Sequence, residues 1–254
     1  MAINKYNAFR YFLRQRSTVI AQLAQNLSNQ GKKTPAAIDR FNSEVILSTE
    51  SRNECIKRLQ KCPVMKSGHS EAARTAAVLV PLCIHNDEMG LLYTLRSTKL
   101  SQNKGEVSFP GGMRDHSDNS FEETALRETW EELNIPKNSV DVWSRANIVG
   151  RKHVHVMPVL GYIGHVDPQQ LQFNPHEVEK AFVVSLQSLC DPNHWGFTQF
   201  RNNYTLPTYS VAGHKIWGLT ALITHIILEA LLHDVYPHKL QFVRPIEHYA
   251  SKKV

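Results

Sequence analysis

The stretch Gly105 to Ile135, GEVSFPGGMRDHSDNSFEETALRETWEELNI, restricts this chain more than any other. It opens on a glycine-proline loop, Phe109-Pro110-Gly111-Gly112, which continues neither a strand nor a helix. A helix carrying Arg127, Glu128, Glu131 and Glu132 follows. At about 100° per residue, the three glutamates fall within roughly 100° of arc. Leu126, Thr129, Trp130 and Leu133 take the opposite side. The pattern therefore predicts one face on a core and another that gathers three carboxylates.

Like charges at i,i+3 and i,i+4 repel by a few tenths of a kcal/mol per pair. A divalent cation removes that repulsion. Mg²⁺ takes about six oxygens, commonly one or two carboxylates plus waters and substrate phosphates. Glu128 and Glu132, one turn apart, suit direct coordination, and Glu131 is a further ligand or an outer group. Arg127, four residues before Glu131, is placed to orient it by a charged hydrogen bond. The loop, including Gly111 and Gly112, offers backbone N–H groups to phosphate oxygens near a helix start. The plainer alternative is a solvated acidic face.

The rest of the chain bounds the context. Its 254 residues, 42% hydrophobic and 20% charged, allow one substantial domain with extensions. The net charge of +6 does not point to nucleic acid. Lys5, Arg10, Arg14, Arg16, Lys32 and Lys33 all precede the first acid, Asp39, and the remaining 23 basic residues balance 23 acidic ones. Residues 1–33 lack acids, carry arginines and repeat apolar residues at helical spacing, the composition of a mitochondrial transit peptide. No run reaches the roughly 18 uninterrupted apolar residues of a membrane span. Cys55, Cys62, Cys83 and Cys190 form no CxxC pair and fit buried free thiols in a reducing compartment.

Residues 34–72 read as a linker and a lead-in helix around Arg52 to Gln60, with Ser48, Thr49 and Ser51 as capping candidates. Thr75 to Ile84 is a buried strand, Asn86-Asp87 a turn, and Gly90 to Arg96 its hairpin partner. Further strands are expected around Val140 to Val149, Val156 to Ile163 and Asn203 to Val211, and Glu177 to Val184 is a stretch leading into a helical turn. A short helical turn falls at Leu186 to Leu189, and Ile216 to Leu232 ends as a helix packing by one face. The expected class is α/β, a mixed sheet sandwiched between helices. The main domain spans 73–232, and 233–254 is a tail.

Arg127-Glu128-Thr129-Trp130-Glu131-Glu132-Leu133-Asn134-Ile135 resembles the second half of the Nudix box. That box reads Gly, five residues, Glu, seven residues, Arg-Glu, apolar, any, Glu-Glu, any, Gly, apolar. Asn134 replaces the late glycine, and Asn also tolerates the left-handed conformation of a helix cap. Asn119 stands where the first glutamate belongs, and Gly112 lies one residue further back than the box spacing. Asp115 and Asp118 are nearby acids, and neither falls on that position. Upstream, LLYTLRSTKLSQNKGEVSFPGG (91–112) is similar to the signature of Nudix enzymes acting on coenzyme A. Downstream, Asn174-Pro175-His176-Glu177-Val178 looks like that branch's NxxEV segment, and Tyr204-Thr205-Leu206-Pro207 and Ile216 to Ala221 resemble it too.

The resemblance implies the Nudix fold and a Mg²⁺- or Mn²⁺-dependent hydrolysis of CoA and acyl-CoAs to 3′,5′-ADP and (acyl-)4′-phosphopantetheine. Metal ions held by Glu128 and Glu132 would neutralise the diphosphate, and Glu131 or Glu177 would take the proton of the attacking water. Arg96 and Lys104 are candidates for phosphate contacts, with solvated surface cations as the alternative, and Tyr93 for adenine stacking against a role in the core. The implied partner is a small molecule, with no nucleic acid or membrane, acting as monomer or homodimer in mitochondria. A diphosphatase of NADH or ADP-ribose and a Nudix fold kept as a binding module are the competing readings. His153 and His155 alternate in a strand, but no Cys pair completes a zinc site.

Overall fold

The computed structural model describes residues 39–63, 65–66, 74–151, 154–200 and 205–240. The expectation for residues 1–33 and that for His153 lie outside them. Helix α1 (Ser43–Ile46) leads into α2 (Thr49–Lys61), whose N-cap is Ser48, accepting from Ser51 N at 3.2 Å. The strands then follow as β1 (Met65–Lys66), β2 (Arg74–His85), β3 (Glu88–Arg96), β4 (Val107–Ser108) and β5 (Gly111–Met113). Helix α3 (Phe121–Leu133) comes next, then β6 (Asp141–Arg145), β7 (Val149–Arg151), β8 (Val154–His165) and β9 (Val178–Ser185). The chain continues with α4 (Leu186–Cys190), β10 (Trp195–Gln199), β11 (Thr205–Val211), β12 (His214–Ile216) and α5 (Gly218–Leu231). No helix among the described residues is long and apolar enough to cross a membrane.

Strand β2 organises the large mixed sheet. It runs parallel to β8 and antiparallel to β3 and β5. Asn86 and Asp87 close the β2–β3 hairpin with φ of 50° and 63°, the left-handed pair a two-residue turn demands. Side chains of β2 alternate between two cores, as a period of two requires. Ala77 and Leu79 face α3, where Ala125 and Leu133 close the layer. Ala76, Val80 and Leu82 face α2, α5 and a second sheet, β10-β11-β12. Each fully buried leucine contributes about 2 kcal/mol.

The sandwich of a mixed sheet between helices is the expected class. Three differences have physical causes. The strand expected over Val140 to Val149 is broken into β6 and β7. The break lies opposite Pro158, which brings no N–H to a ladder, and Ala146 N still donates to Pro158 O at 2.9 Å. The small three-stranded sheet brings in β10, which no strand expectation covered. Helix α5 packs on nearly every side, since all residues from Ala221 to Leu228 are buried. Its polar groups are satisfied inside: Thr224 Oγ1 lies 3.0 Å from Tyr93 OH, and His225 Nδ1 lies 2.8 Å from Tyr236 OH.

The lead-in helix is tied down at both ends of its inner face. Arg58 Nη1 donates to Ala230 O at 3.2 Å, and Arg52 grips Asp141 by two bonds of 2.8 Å while lying 5.4 Å from the Trp143 ring centre.

Candidate active site

The site lies where the large sheet splits. The second half of β2 pairs with β3, whereas its first half pairs with β5. The far half of β3 pairs with β4. The loop Phe109-Pro110 bridges the fork. Phe109 is buried and stacks on Tyr93 with centroids 4.7 Å apart, and Pro110 O accepts from Leu79 N at 2.9 Å. Gly111 has φ +152°, and a Cβ there would lie 2.6 Å from Val78 Cα. The loop thus needs glycine to pass so close to β2.

Helix α3 starts from this loop. Its N-cap Ser120 accepts from Glu123 N at 3.1 Å, and Glu123 Oε2 accepts in turn from Asn119 N at 2.8 Å. It ends at Asn134, with φ 54° and ψ 28°, the left-handed cap anticipated for this residue. The faces differ from expectation. Trp130 is 49% exposed, so it is not part of the core. The inward arc centres on Ala125, Thr129 and Glu132, which places Trp130 on the far side and turns Glu132 and Glu128 toward the sheet. Glu132 is 4% exposed, and Glu128 is half-buried with its carboxylate against Gly112. Glu131 stays at the solvent edge.

Arg127 ties the carboxylates together. Nη1 donates to Glu128 Oε1 at 2.9 Å and to Glu131 Oε2 at 3.1 Å, the latter being the i,i+4 bond expected from the spacing. Nε and Nη2 donate to the two oxygens of Asp118 at 3.0 and 2.9 Å, and Nη2 also reaches Met113 O at 3.1 Å. Asp118 is buried and also accepts from Asp115 N and Thr124 Oγ1, both at 2.9 Å. The Arg127 guanidinium, helped by these bonds, holds the Asp118 carboxyl well below the ordinary range. The residue count back from Arg127 misses this aspartate; the count forward from Gly112 finds it, five residues between.

Glu132 is the electrostatically costly member. Burial pushes its pKa up to about 8; Arg96 opposes this, and Glu128 and Glu177 reinforce it. Glu132 Oε2 is buried with no hydrogen-bond partner. Burial raises Glu128 too, against the pull of Arg127 and with the push of Glu131 and Glu177. The backbone N–H of Gly111 also favours the charged Glu132 carboxylate, more weakly than Arg96 does.

Glu177 and Arg96 complete the ring around it. Asn174 N donates to Glu132 O at 2.9 Å, and Asn174 Nδ2 donates to Glu177 Oε1 at 3.2 Å. Asn174 therefore links the turn before β9 to the end of α3. Ser97 N donates to Glu177 O at 2.9 Å, which joins that turn to the end of β3, where Arg96 is half-buried. Arg96 Nε is buried without a partner. Lys104 stands apart, exposed on the loop before β4. Tyr93 is fully buried and bonded to Thr224, so it belongs to the core and does not stack on a ligand.

The donor set suits a hard divalent cation: carboxylate oxygens, one of them unpartnered, in a setting that penalises their charge. Among the described residues no three His, Cys, Asp or Glu side chains converge into a closed metal cage. Two carboxylates with water and substrate oxygens would make up such a shell. The described clefts lie elsewhere, one between α2 and the turn after α5, the other beside α4.

Residues 73–204 match the family model described as the NUDIX domain. The chain belongs to the Nudix family. Its similarity to named Nudix proteins extends beyond that domain. It is 39% identical to the mitochondrial coenzyme A diphosphatase NUDT8 of Mus musculus, over 76% of this chain and 94% of that protein. Against the protein of the same name in Homo sapiens it is 41% identical, over 65% and 73%. The peroxisomal coenzyme A diphosphatase NUDT7 of Mus musculus is 30% identical over 73% of this chain and 82% of its own. The Nudix helix is thus α3, and the Nudix loop is the glycine turn that β4 and β5 hold.

Proposed function

We propose that this Nudix hydrolase cleaves the diphosphate of coenzyme A and acyl-CoAs, giving 3′,5′-ADP and (acyl-)4′-phosphopantetheine. The observation that carries the reading is the buried, unpartnered Glu132 carboxylate oxygen beside Glu128, Arg96 and Glu177. The relatives named coenzyme A diphosphatases support the substrate. The 91–112 signature supports it independently.

Glu128 and Glu132 would hold Mg²⁺ or Mn²⁺, with Glu131 at the outer edge. When bound, such an ion neutralises diphosphate charge and makes a coordinated water more acidic. Arg96, half-buried and beside Glu132, pairs with a diphosphate oxygen. The Gly111-Gly112 turn would line the same anion site, with the Gly111 N–H shared with Glu132. A water oxygen attacks one phosphorus, the bridging P–O bond breaks, and the leaving phosphate departs with the electron pair. Glu177 takes the water's proton. Glu131 is less suited to that role because Arg127 occupies its Oε2.

Purified protein incubated with CoA, acetyl-CoA, NADH and ADP-ribose, with and without Mn²⁺, tests this by mass spectrometry of products. Phosphopantetheine and 3′,5′-ADP should appear from CoA with metal only. Products from NADH or ADP-ribose alone would move the assignment to another dinucleotide. The acid-free N-terminus and the mitochondrial names of two relatives support mitochondrial targeting. Loss of import on deleting residues 1–33 is the expected result, and continued import would exclude it.

A further inference from the structure

We propose that Asn174 is a positioning residue that orients the Glu177 carboxylate as proton acceptor and joins it to the metal-binding end of α3. The inference rests on the reading of Glu177 as the base. Asn174 uses each of its polar groups at this junction. Its N–H donates to Glu132 O at 2.9 Å. That carbonyl lies in the last turn of α3, where no later helical N–H reaches it. Its own O accepts from Glu177 N at 3.0 Å and from Val178 N at 2.8 Å. Oδ1 accepts from His176 N at 3.1 Å, and Nδ2 donates to Glu177 Oε1 at 3.2 Å.

These bonds have separate roles. The three main-chain bonds and Oδ1 close the turn and dock it on α3. Nδ2 is the group that reaches a carboxylate. An Asn oxygen bonded to the backbone two residues on fixes the amide plane, and with it the direction of Nδ2. The other side of the turn is fixed by Ser97, which is buried. It donates by N to Glu177 O at 2.9 Å and by Oγ to Pro175 O at 3.3 Å. The Glu177 backbone is thus held between the ends of β3 and α3, and Asn174 orients its side chain.

The chemistry of the donor suits a base. A general base must lie within hydrogen-bond reach of the proton it takes, so its carboxylate has to be aimed. Glu131 is bonded by a guanidinium, which occupies Oε2 and sets a positive charge against it. Glu177 is bonded by a neutral amide, which orients the carboxylate and adds no charge. With Oε1 engaged, Oε2 is the oxygen assigned to the proton of the attacking water. That proton leaves the water as its oxygen bonds to phosphorus, and the electron pair of the bridging P–O bond departs with the leaving phosphate.

Asn174→Ser tests the role. Serine keeps a hydroxyl for the His176 N–H and is too short to reach Glu177. Turnover of CoA at saturating Mn²⁺ is followed by mass spectrometry, and Mn²⁺ affinity by the paramagnetic resonance signal of the free ion. The expected result is a fall in kcat of about tenfold, part of what a general base contributes. KM for CoA and the Mn²⁺ dissociation constant should stay within twofold of wild type. In a Glu177→Gln background Asn174→Ser should cause no further loss. A kcat within threefold of wild type overturns the proposal, as does an equal loss in both backgrounds. A parallel loss of Mn²⁺ affinity also overturns it, since Asn174 would then serve only to hold α3. Should circular dichroism show Asn174→Ser misfolded, Asn174→Asp decides, because it keeps the shape and Oδ1 and replaces the donor by an anion. Its kcat should fall, and the fall should vanish in the Glu177→Gln background; an unchanged kcat removes the role. Wild-type kcat in Glu177→Gln itself would instead remove Glu177 as the base, and the inference with it.

Discussion

The Glu128 carboxylate lies against Gly112: a Cβ built on that glycine would stand 2.6 Å from Glu128 Oε1. Sheet and helix therefore meet at a site with room for one side chain, and the glutamate has it. Gly112 is not in the left-handed region, so alanine suits its backbone and the obstacle is space alone. Gly112→Ala should displace Glu128 or lift α3. A misplacement near 1 Å costs about a hundredfold in rate. We expect that loss in kcat/KM with the circular dichroism spectrum unchanged. Wild-type turnover in this variant would mean that Glu128 need not sit there.

Glu132→Gln separates charge from shape. Turnover should nearly vanish, because the amide keeps the volume and loses the anion. Without metal, the variant should be more stable than wild type at pH 8. The folded pKa of Glu132 is raised to about 8. Between an ordinary carboxylate value near 4.3 and that value, the folded state binds more protons than the unfolded one, so stability falls as pH rises. The gap between variant and wild type should close as pH falls toward 4. Thermal melts across this range in a chelator check it, and a constant gap would show that Glu132 is not the titrating group.

Much of this site was legible in advance because its chemistry is local in sequence. Arg127 to Glu132 lie within two helical turns, and the glycine loop sits just before them. The sheet was legible where a strand is long and buried, as in Thr75 to Ile84. Strands β4, β5 and β12 have two or three residues each, too few for any period to show. The angular count sets Trp130 opposite the glutamates and hence inward, but Glu132 and Glu128 themselves turn toward the sheet. The helix faces inward along Ala125 and Thr129, small residues that let it approach β2. Asn174 could not be ranked from sequence, since its contact with Glu132 O crosses 42 positions of chain and depends on the fold.

His225 should govern acid sensitivity. Burial, then the neighbouring His238, lowers its pKa to about 4. The groups facing it are Tyr236 OH at 2.8 Å, exposed Glu229 at 3.9 Å and His238, itself lowered by burial. Between about pH 6.5 and 4 the unfolded chain takes a proton that the folded one refuses, so stability falls as pH falls. The full effect is on the order of 3 kcal/mol. His225→Asn should remove that component of the profile in this window, leaving the opposite-signed slope of Glu132 and the contribution of His238. Urea melts from pH 7 to 4 measure both slopes, and parallel profiles would count against His225.

Arg52 tests whether the lead-in helix matters to chemistry. Its pair with Asp141 is half-exposed, and its guanidinium also covers Trp143. Together these contacts are worth about 1 kcal/mol. Arg52→Ala should lower stability by that amount with kcat/KM unchanged. A large kinetic effect would tie α2 to the site.

The remaining question is how CoA would be told from other dinucleotides. CoA carries a 3′-phosphate that NADH and ADP-ribose lack. Two cations were candidates to read it, and their surroundings now separate them. Arg96 is half-buried and acts on Glu132, which suits the diphosphate. Lys104 is exposed on the loop before β4, free to meet a phosphate further along the substrate. A charged hydrogen bond to phosphate is worth roughly 1.5–3 kcal/mol, or about ten- to a hundredfold in kcat/KM. Lys104→Ala should therefore slow CoA by that factor and leave 3′-dephospho-CoA almost untouched, whereas Arg96→Ala should slow both. Loss of both substrates equally in Lys104→Ala, abolished by 0.5 M salt, would reduce Lys104 to long-range attraction, because salt screens only exposed charges over such distances. Equal kcat/KM for CoA and dephospho-CoA in the wild type, with ADP-ribose preferred to both, would remove the coenzyme A assignment and leave a diphosphatase of another nucleotide.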